Sequence, residues 1–273
     1  MRRRIAGARS LLFVPGDRPE RFGKALSSAA DEIVLDLEDA VAPEAKAVAR
    51  ESVHRWLTKC AGTVVRVNGA DTDWYADDVA MLAEHACAVM VPKSHSADHL
   101  RAVAANLHAD TCVIALVETA AGILAAREIS AVDAVGRAAF GSVDLGAELG
   151  IDPEDHESLR HARSALVIAC AAAGHPPPLD GVTIALDDDR QLIADVDRAA
   201  RMGFGGKLCI HPRQIESVNQ RFTPSADEIA RARRVLDSAD GRGVAVVDGR
   251  MVDKPVVDRA RRIALACEDK SVG

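Results

Sequence analysis

Short apolar runs recur along the chain, each followed by a longer stretch in which apolar residues return at intervals of three and four. Residues 10–14, 32–37, 63–67, 88–91, 112–117, 138–143, 179–182 and 206–210 read as strands. The stretches between them, among them 43–59, 74–85, 97–107, 119–129, 157–173 and 190–202, read as helices. Several strands are apolar throughout instead of alternating, as in Val113-Ile114-Ala115-Leu116-Val117. That is the pattern of strands buried on both faces of a parallel sheet. Eight such strand–helix units in one chain predict an α/β fold, a closed (β/α)8 TIM barrel. An open doubly wound sheet calls for a glycine-rich phosphate loop after the first strand, but that turn reads Val14-Pro15-Gly16-Asp17-Arg18-Pro19.

After the eighth strand the pattern changes. Residues 225–239 read as a helix opened by a capping box, with Ser225 at the cap and Glu228 three residues later. Residues 243–251 read as a hairpin turning at Asp248-Gly249, and 254–267 as a final amphipathic helix. The expected division is a barrel over 1–222 and a helix–hairpin–helix extension over 223–273, serving as a lid or an oligomer contact.

Composition narrows the function classes. The apolar share of 48% supports a full core and excludes a disordered chain. With 34 basic against 41 acidic side chains the net charge is −7, which argues against a general nucleic-acid binder, and 3% aromatic residues leave few platforms for stacking bases. The six cysteines show no CxxC spacing and sit mostly in apolar runs, as core residues of a reducing compartment rather than a zinc or disulfide framework. The start Met1-Arg2-Arg3-Arg4-Ile5 imitates a signal peptide, but the apolar run at Leu11 is stopped by Pro15-Gly16-Asp17. No run approaches the roughly 18 apolar residues of a membrane span. The expectation is a soluble, cytoplasmic protein with no membrane or nucleic-acid partner.

In a barrel, reactive groups lie where strands give way to the following loops. Those ends carry Asp36-Leu37-Glu38-Asp39, Arg66-Val67-Asn68, Pro92-Lys93, Glu118-Thr119, Ser142-Val143-Asp144 and His211-Pro212. Glu118 ends the most hydrophobic strand, where its charge is costly without a partner. It either caps the helix starting at Ala120 or pairs with Lys93, or it is a hard-cation ligand with Asp144 one strand over. Two carboxylates plus waters and substrate oxygens suit Mg²⁺, and neither His nor Cys for Zn²⁺ stands at those two ends. Glu38 and Asp39 read as holding metal-bound water or Arg66; the bland reading of Asp39 is a solvated loop or cap. Arg66, flanked by apolar neighbours, must be paired, either in a bridge to Glu38 or to a developing oxyanion. Lys93 steers an anion or balances Glu118. His211 reads as a general base, a hydrogen-bond donor or a core histidine, with Pro212 suited to a first helical turn.

Together Leu12-Phe13-Val14-Pro15-Gly16-Asp17, Val34-Leu35-Asp36-Leu37-Glu38-Asp39-Ala40-Val41, Val65-Arg66-Val67-Asn68, Val91-Pro92-Lys93, Glu118-Thr119, Gly141-Ser142-Val143-Asp144-Leu145 and Ile210-His211-Pro212 with Gln214 resemble the citrate lyase β-subunit (CitE)-like proteins of the HpcH/HpaI aldolase group. Malyl-CoA and citramalyl-CoA lyases are relatives of that group. The resemblance implies a homotrimeric barrel with Mg²⁺ on Glu118 and Asp144, Arg66 on the substrate oxyanion, and Glu38 and Asp39 supporting the metal's water. It places Lys93, His211 and Pro212 with the substrate. Family members with a C-terminal lid set an Asp in a Met-Ile/Val-Asp turn over a neighbouring subunit's site. Met251-Val252-Asp253 matches that turn, making Asp253 the candidate acid/base; read without the resemblance, Asp253 is a helix N-cap. The implied reaction is reversible carbon–carbon cleavage of a 3-hydroxyacyl thioester such as citramalyl-, malyl- or citryl-CoA, giving an acyl thioester and a 2-oxo acid. Residues 243–253 resemble the stand-alone members that use free coenzyme A, in contrast to citrate lyase subunits served by an acyl carrier. Two alternatives stand beside it: a metal-dependent aldolase acting on a free 2-oxo acid, and a non-catalytic subunit that binds a 2-oxo acid or CoA.

Overall fold

The computed structural model describes residues 1–238 and 245–268. Eight parallel strands close into a barrel in sequence order: β1 (Ser10–Pro15), β2 (Glu32–Asp36), β3 (Val64–Arg66), β4 (Ala88–Val91), β5 (Cys112–Val117), β6 (Val135–Phe140), β7 (Leu179–Asp180) and β8 (Gly206–Cys209). The ring is shut by β1 against β8, with Leu11 opposite Leu208 and Leu12 opposite Cys209. Helices connect the strands, as βαβ crossovers in a parallel sheet require. Every second residue of a strand points inward, so Ala88 and Met90 of β4 and Ile114 and Leu116 of β5 join one buried cluster inside the ring. The barrel is therefore a packed core, open to chemistry only at its rims.

The sequence pattern misplaces β6. It runs Val135–Phe140, not 138–143, because two local signals mislead. Gly136 looks like a loop residue but sits at a register irregularity opposite β5, where a Cβ would collide with Cys112 Sγ. Arg137 looks too polar for a strand, yet it is 1% exposed and donates to the carbonyls of Ile5, Ala8 and Pro177. Ser142, Val143 and Asp144 then form the first turn of helix Ser142–Leu149. The helix expected over 119–129 divides at Ala125 into Ala120–Leu124 and Ala126–Ser130.

A short helix, Arg2–Gly7, was not expected. Its Ile5 is fully buried in the barrel cluster, and Arg2 donates to the carbonyls of Asp133 and Val135 at the base of β6. The basic start thus plugs the rim at which the strands begin.

The chain divides into two compact units, Met1–Gln220 and Arg221–Gly273. In the second, helix Ala226–Ser238 opens with the expected capping box: Glu228 N–H donates to Ser225 Oγ at 3.2 Å and Ser225 N–H to Glu228 Oε2 at 2.9 Å. Strands β9 (Ala245–Val247) and β10 (Arg250–Val252) form the hairpin; Gly243 and Val244, the first residues expected in it, lie outside the described residues. Its turn residues Asp248 and Gly249 have φ of 50° and 71°, the left-handed pair that matches strand twist in a two-residue turn. Helix Lys254–Glu268 completes the unit around Ala232, Val235, Val252, Val257 and Ala260. Cys87, Cys112, Cys170 and Cys209 are buried free thiols and Cys60 is half-buried; the surroundings of Cys267 lie outside the described residues. Among the described residues no helix is long and apolar enough to cross a membrane.

Candidate active site at the C-terminal rim

A cavity of about 320 Å³ opens at the rim where the strands end. Its lining includes Phe13 from β1, Asp36 and Asp39 from the end of β2, Arg66 from β3, Leu116 and Glu118 from β5, Asp144 beyond β6, and Leu208 and Ile210 from β8. The apolar floor and the charged wall follow from the strand pattern: alternate residues continue the core upward, and the charged residues stand at the strand ends, where they line the cavity.

Arg66 is the centre of the charged wall. Its Nε and Nη2 each donate to Asp36 carboxylate oxygens at 2.7 Å, a bidentate pair buried on both sides. Nη1 lies 3.0 Å from Glu38 Oε2 and donates to Asp39 Oδ2 at 3.3 Å. The guanidinium stacks over Phe13 at 4.8 Å. Burial would weaken its charge, but Asp36, Glu38 and Asp39 overcompensate and hold it protonated. Asp36 Oδ1 and Oδ2 also accept the N–H groups of Glu38 and Ala40 at 3.0 Å, so one carboxylate fixes both the arginine and the loop that follows β2.

That loop is tied from the other side by Lys46, buried with its ammonium 2.7 Å from the carbonyls of Leu37 and Glu38 and 2.6 Å from Asn68 Oδ1. Asn68 in turn donates through N–H and Nδ2 to Asp78 Oδ2 at 3.0 and 2.7 Å. A buried, fully paired polar network of this kind rigidifies what it holds. Here it holds Glu38 and Asp39 toward Arg66.

Glu118 is 3% exposed, and one of its oxygens accepts the Lys93 N–H at 2.8 Å. Burial pushes its carboxyl up to about 7, and the nearby Asp144 charge adds to the rise. Glu38 is pushed up to about 8, first by burial and then, against the pull of Arg66, by Asp39, Glu118 and Asp36. Its Oε2 is buried and, although within ion-pair distance of Arg66, receives no aligned hydrogen bond. Asp144 is also raised, by burial and by Asp39, with Lys93 and Arg66 opposing. The wall therefore carries more negative charge than Arg66 neutralises. Such a set of oxygen donors fits a hard dication, which takes one or two carboxylates and keeps much of its water.

Gly141 is what lets Glu118 and the helix carrying Asp144 share this wall. A Cβ on it would run into Glu118 Cβ and Oε2. Asp144 reaches the cavity from a helical turn, not from the strand end expected of it.

Of the predicted residues, the structure brings Arg66, Asp39, Glu118 and Asp144 to the cavity wall, with Glu38 beside Arg66. Lys93 is exposed and lies outside the lining; its backbone is left-handed at φ 47°, an uncommon state for a residue with a Cβ, and in that state its N–H meets Glu118. The alternative in which Glu118 caps the helix at Ala120 does not hold: that N–H donates to Glu148 Oε2 at 2.8 Å. His211 and Pro212 are also absent from the lining. His211 accepts the Arg213 N–H on Nδ1 at 3.2 Å and the Gln214 N–H on its carbonyl at 3.0 Å, and so starts helix Gln214–Arg221, with Pro212 exposed in the turn. Asp253 belongs to the second unit. There Oδ1 accepts the Val256 N–H at 3.3 Å, as an N-cap does. The residues missed in the sequence are Asp36, Lys46 and Gly141. Alternation along β2 sets Asp36 on the same face as Glu38 and could have found the first.

Residues 9–212 match the family model described as HpcH/HpaI aldolase/citrate lyase. A citrate lyase subunit beta-like protein of Mycobacterium tuberculosis is 40% identical over 257 residues, 91% of this chain and 92% of the relative. A (3S)-malyl-CoA thioesterase of Cereibacter sphaeroides is 38% identical over 270 residues, 95% and 94% of the two chains. The crystal structure of CitE from M. tuberculosis in complex with magnesium, acetoacetate and coenzyme A superposes with a TM-score of 0.83 at 38% identity, covering 97% of this chain and 99% of that one.

Proposed function

Because the chain belongs to the HpcH/HpaI aldolase/citrate lyase family, we propose that it is a Mg²⁺-dependent carbon–carbon lyase, cleaving or forming a 3-hydroxyacyl-CoA thioester from an acyl-CoA and a 2-oxo acid. The observation that carries the reading is the meeting, in one cavity, of two carboxylates raised by burial, Glu118 and Asp144, with a guanidinium held by Asp36. Glu118 and Asp144 would hold the metal, and Glu38 and Asp39 would order its water. When bound there, Mg²⁺ supplies a Lewis acid and a template for the carboxylate and adjacent oxygen of the 2-oxo acid.

In the cleavage direction the substrate's 3-hydroxyl loses its proton and the bond between carbons 2 and 3 breaks. Its electron pair passes to the thioester carbonyl as an enolate. Arg66 faces that developing oxyanion, and with Asp36 fixing its plane it needs no reorganisation as the charge appears. The enolate takes up a proton at carbon 2, which gives the acyl-CoA. Asp253 is the acid/base for these transfers, supplied by a neighbouring subunit of a cytoplasmic homotrimer. Lys93, His211 and Pro212 border the entrance used by the anionic substrate. Catalysis is assigned to the barrel, 1–222, and closure over the substrate to 223–273.

The test is turnover by purified protein with Mg²⁺, acetyl-CoA and a panel of 2-oxo acids, and in reverse with malyl-CoA and citramalyl-CoA. A lyase releases 2-oxo acid and acyl-CoA with no free thiol. Release of free CoA thiol and the hydroxy acid indicates a thioesterase, the activity named for one relative. Turnover of a free hydroxy-oxo acid without CoA indicates an aldolase, and an inert protein that still binds CoA indicates a binding subunit. Glu118→Ala is expected to lower kcat at least about a hundredfold, the size of loss seen when a group stabilising the transition state is removed. Full activity of that variant overturns the metal assignment.

A further inference from the structure

Helix Lys46–Leu57 ends, and the segment after helix Tyr75–Leu82 begins, at the base of the barrel, where the chain enters β3 and β4. On this outer wall His54 Nδ1 and His85 Nε2 stand 3.0 Å apart, their rings at 65° to one another. A carboxylate oxygen of Glu84 joins them, all three ligand atoms lying within 4.8 Å of one another. The neighbouring charges are already taken. Arg50 pairs with Asp78 at 2.8 Å and Asp77 at 3.1 Å, and Glu51 pairs with Arg55 at 3.0 Å. Glu84 makes no ion pair or side-chain hydrogen bond among the described residues.

We propose that His54, Glu84 and His85 form a binding site for a borderline divalent transition-metal ion such as Zn²⁺, separate from the cavity at the opposite rim. Two imidazoles and a carboxylate are a recurrent zinc donor set, and a soft-to-borderline set of this kind discriminates against Mg²⁺. Tetrahedral ligation with bonds of about 2.0–2.1 Å puts ligand atoms roughly 3.3 Å apart. The nitrogen pair is within a few tenths of an ångström of that spacing, and Glu84, exposed at the mouth of a groove it shares with His54, is free to close in. Burial and the His54 ring lower the pKa of His85 against the opposing charge of Glu84, favouring the neutral imidazole that a metal requires. A metal here ties helix Lys46–Leu57 to the segment that leads into β4, so its effect is on stability and not on turnover.

The experiment uses the full chain in saturating MgCl₂, which keeps the oxygen-rich cavity occupied, titrated with ZnCl₂ and CoCl₂. The expected result is one equivalent of Zn²⁺ bound, a melting temperature raised by several degrees through ligand linkage, and a tetrahedral Co²⁺ visible spectrum. His54→Ala and His85→Gln are each expected to weaken Zn²⁺ about a hundredfold and abolish the spectrum, while Mg²⁺-dependent turnover, which reports an intact fold, stays unchanged. Glu118→Ala is expected to leave the Zn²⁺ titration as it was. No binding by the unaltered chain, an octahedral Co²⁺ spectrum, or equal Zn²⁺ affinity in the histidine variants overturns the site.

Discussion

At the scale of single residues, the cavity wall is a problem in charge. Asp36, Glu38, Asp39, Glu118 and Asp144 gather around one guanidinium, and burial denies them the water that would otherwise stabilise their anions. The wall settles this by holding protons: Glu38 is raised from 4.5 to about 8 and Glu118 from 4.5 to about 7. A raised carboxyl binds its proton more tightly folded than unfolded, so the folded state carries the extra protons and stability falls as pH rises. The advantage is complete below the unfolded value of 4.5 and is lost as pH climbs through 7 and 8. Metal-free protein in EDTA is thus expected to melt several degrees lower at the alkaline end of that window. Mg²⁺ competes with the same protons, so the stabilisation it confers is expected to grow with pH. Thermal melts with and without Mg²⁺ across the window check both; a melting temperature in EDTA that holds or rises with pH contradicts the burial argument.

At the scale of elements, the joint between β6 and helix Ser142–Leu149 decides whether the carboxylates converge. Gly141 leaves room there for Glu118, and a methyl group at that position has nowhere to go. Gly141→Ala is expected to cost about 1–3 kcal/mol, the usual penalty of overpacking, and to weaken Mg²⁺ by displacing Glu118. Urea melts and a Mg²⁺ titration read the two effects separately; unchanged Mg²⁺ affinity would show that Gly141 does not set the carboxylate's position. The same joint marks where sequence pattern stops being informative. Apolar runs identify the strands because burial on both faces leaves no other choice, and Arg66 and Glu118 are visible because a charge at the end of such a run demands a partner. The shifted bounds of β6 were hidden because Gly136 and Arg137 are tolerated only by particular tertiary partners, Cys112 and the carbonyls of Ile5, Ala8 and Pro177. The plugging helix Arg2–Gly7 was hidden for a related reason: six residues carry too little periodicity to show, and its place is set by particular partners, Ile5 in the barrel cluster and Arg2 on the carbonyls of Asp133 and Val135. His211 shows the converse limit, since a strand-end position does not by itself place a ring in the cavity, and its Nδ1 accepts the Arg213 N–H in the turn that follows.

At the scale of the whole molecule, the proposed metal ligands and the proposed acid/base lie in different compact units, Glu118 in Met1–Gln220 and Asp253 in Arg221–Gly273. If a working site takes Glu118 from one subunit and Asp253 from its neighbour, the two can be separated genetically. Glu118→Ala and Asp253→Asn chains are each expected to be nearly inactive alone, because every site in a uniform trimer lacks one of the two groups. Chains mixed in equal amounts and reassembled form sites in which an Asp253→Asn subunit supplies an intact Glu118 and an adjacent Glu118→Ala subunit supplies an intact Asp253. Random assembly in a cyclic ring makes about a quarter of all sites of this kind, so activity is expected to return to about a quarter of the unaltered level. Recovery depends on subunit exchange and vanishes if the variants are mixed without it, which distinguishes shared sites from residual activity. No recovery after verified co-assembly would place Asp253 in its own subunit's site, and an Asp253→Asn chain active alone would remove it from the reaction, whereas the Glu118 and Asp144 assignment rests on the barrel alone and would stand.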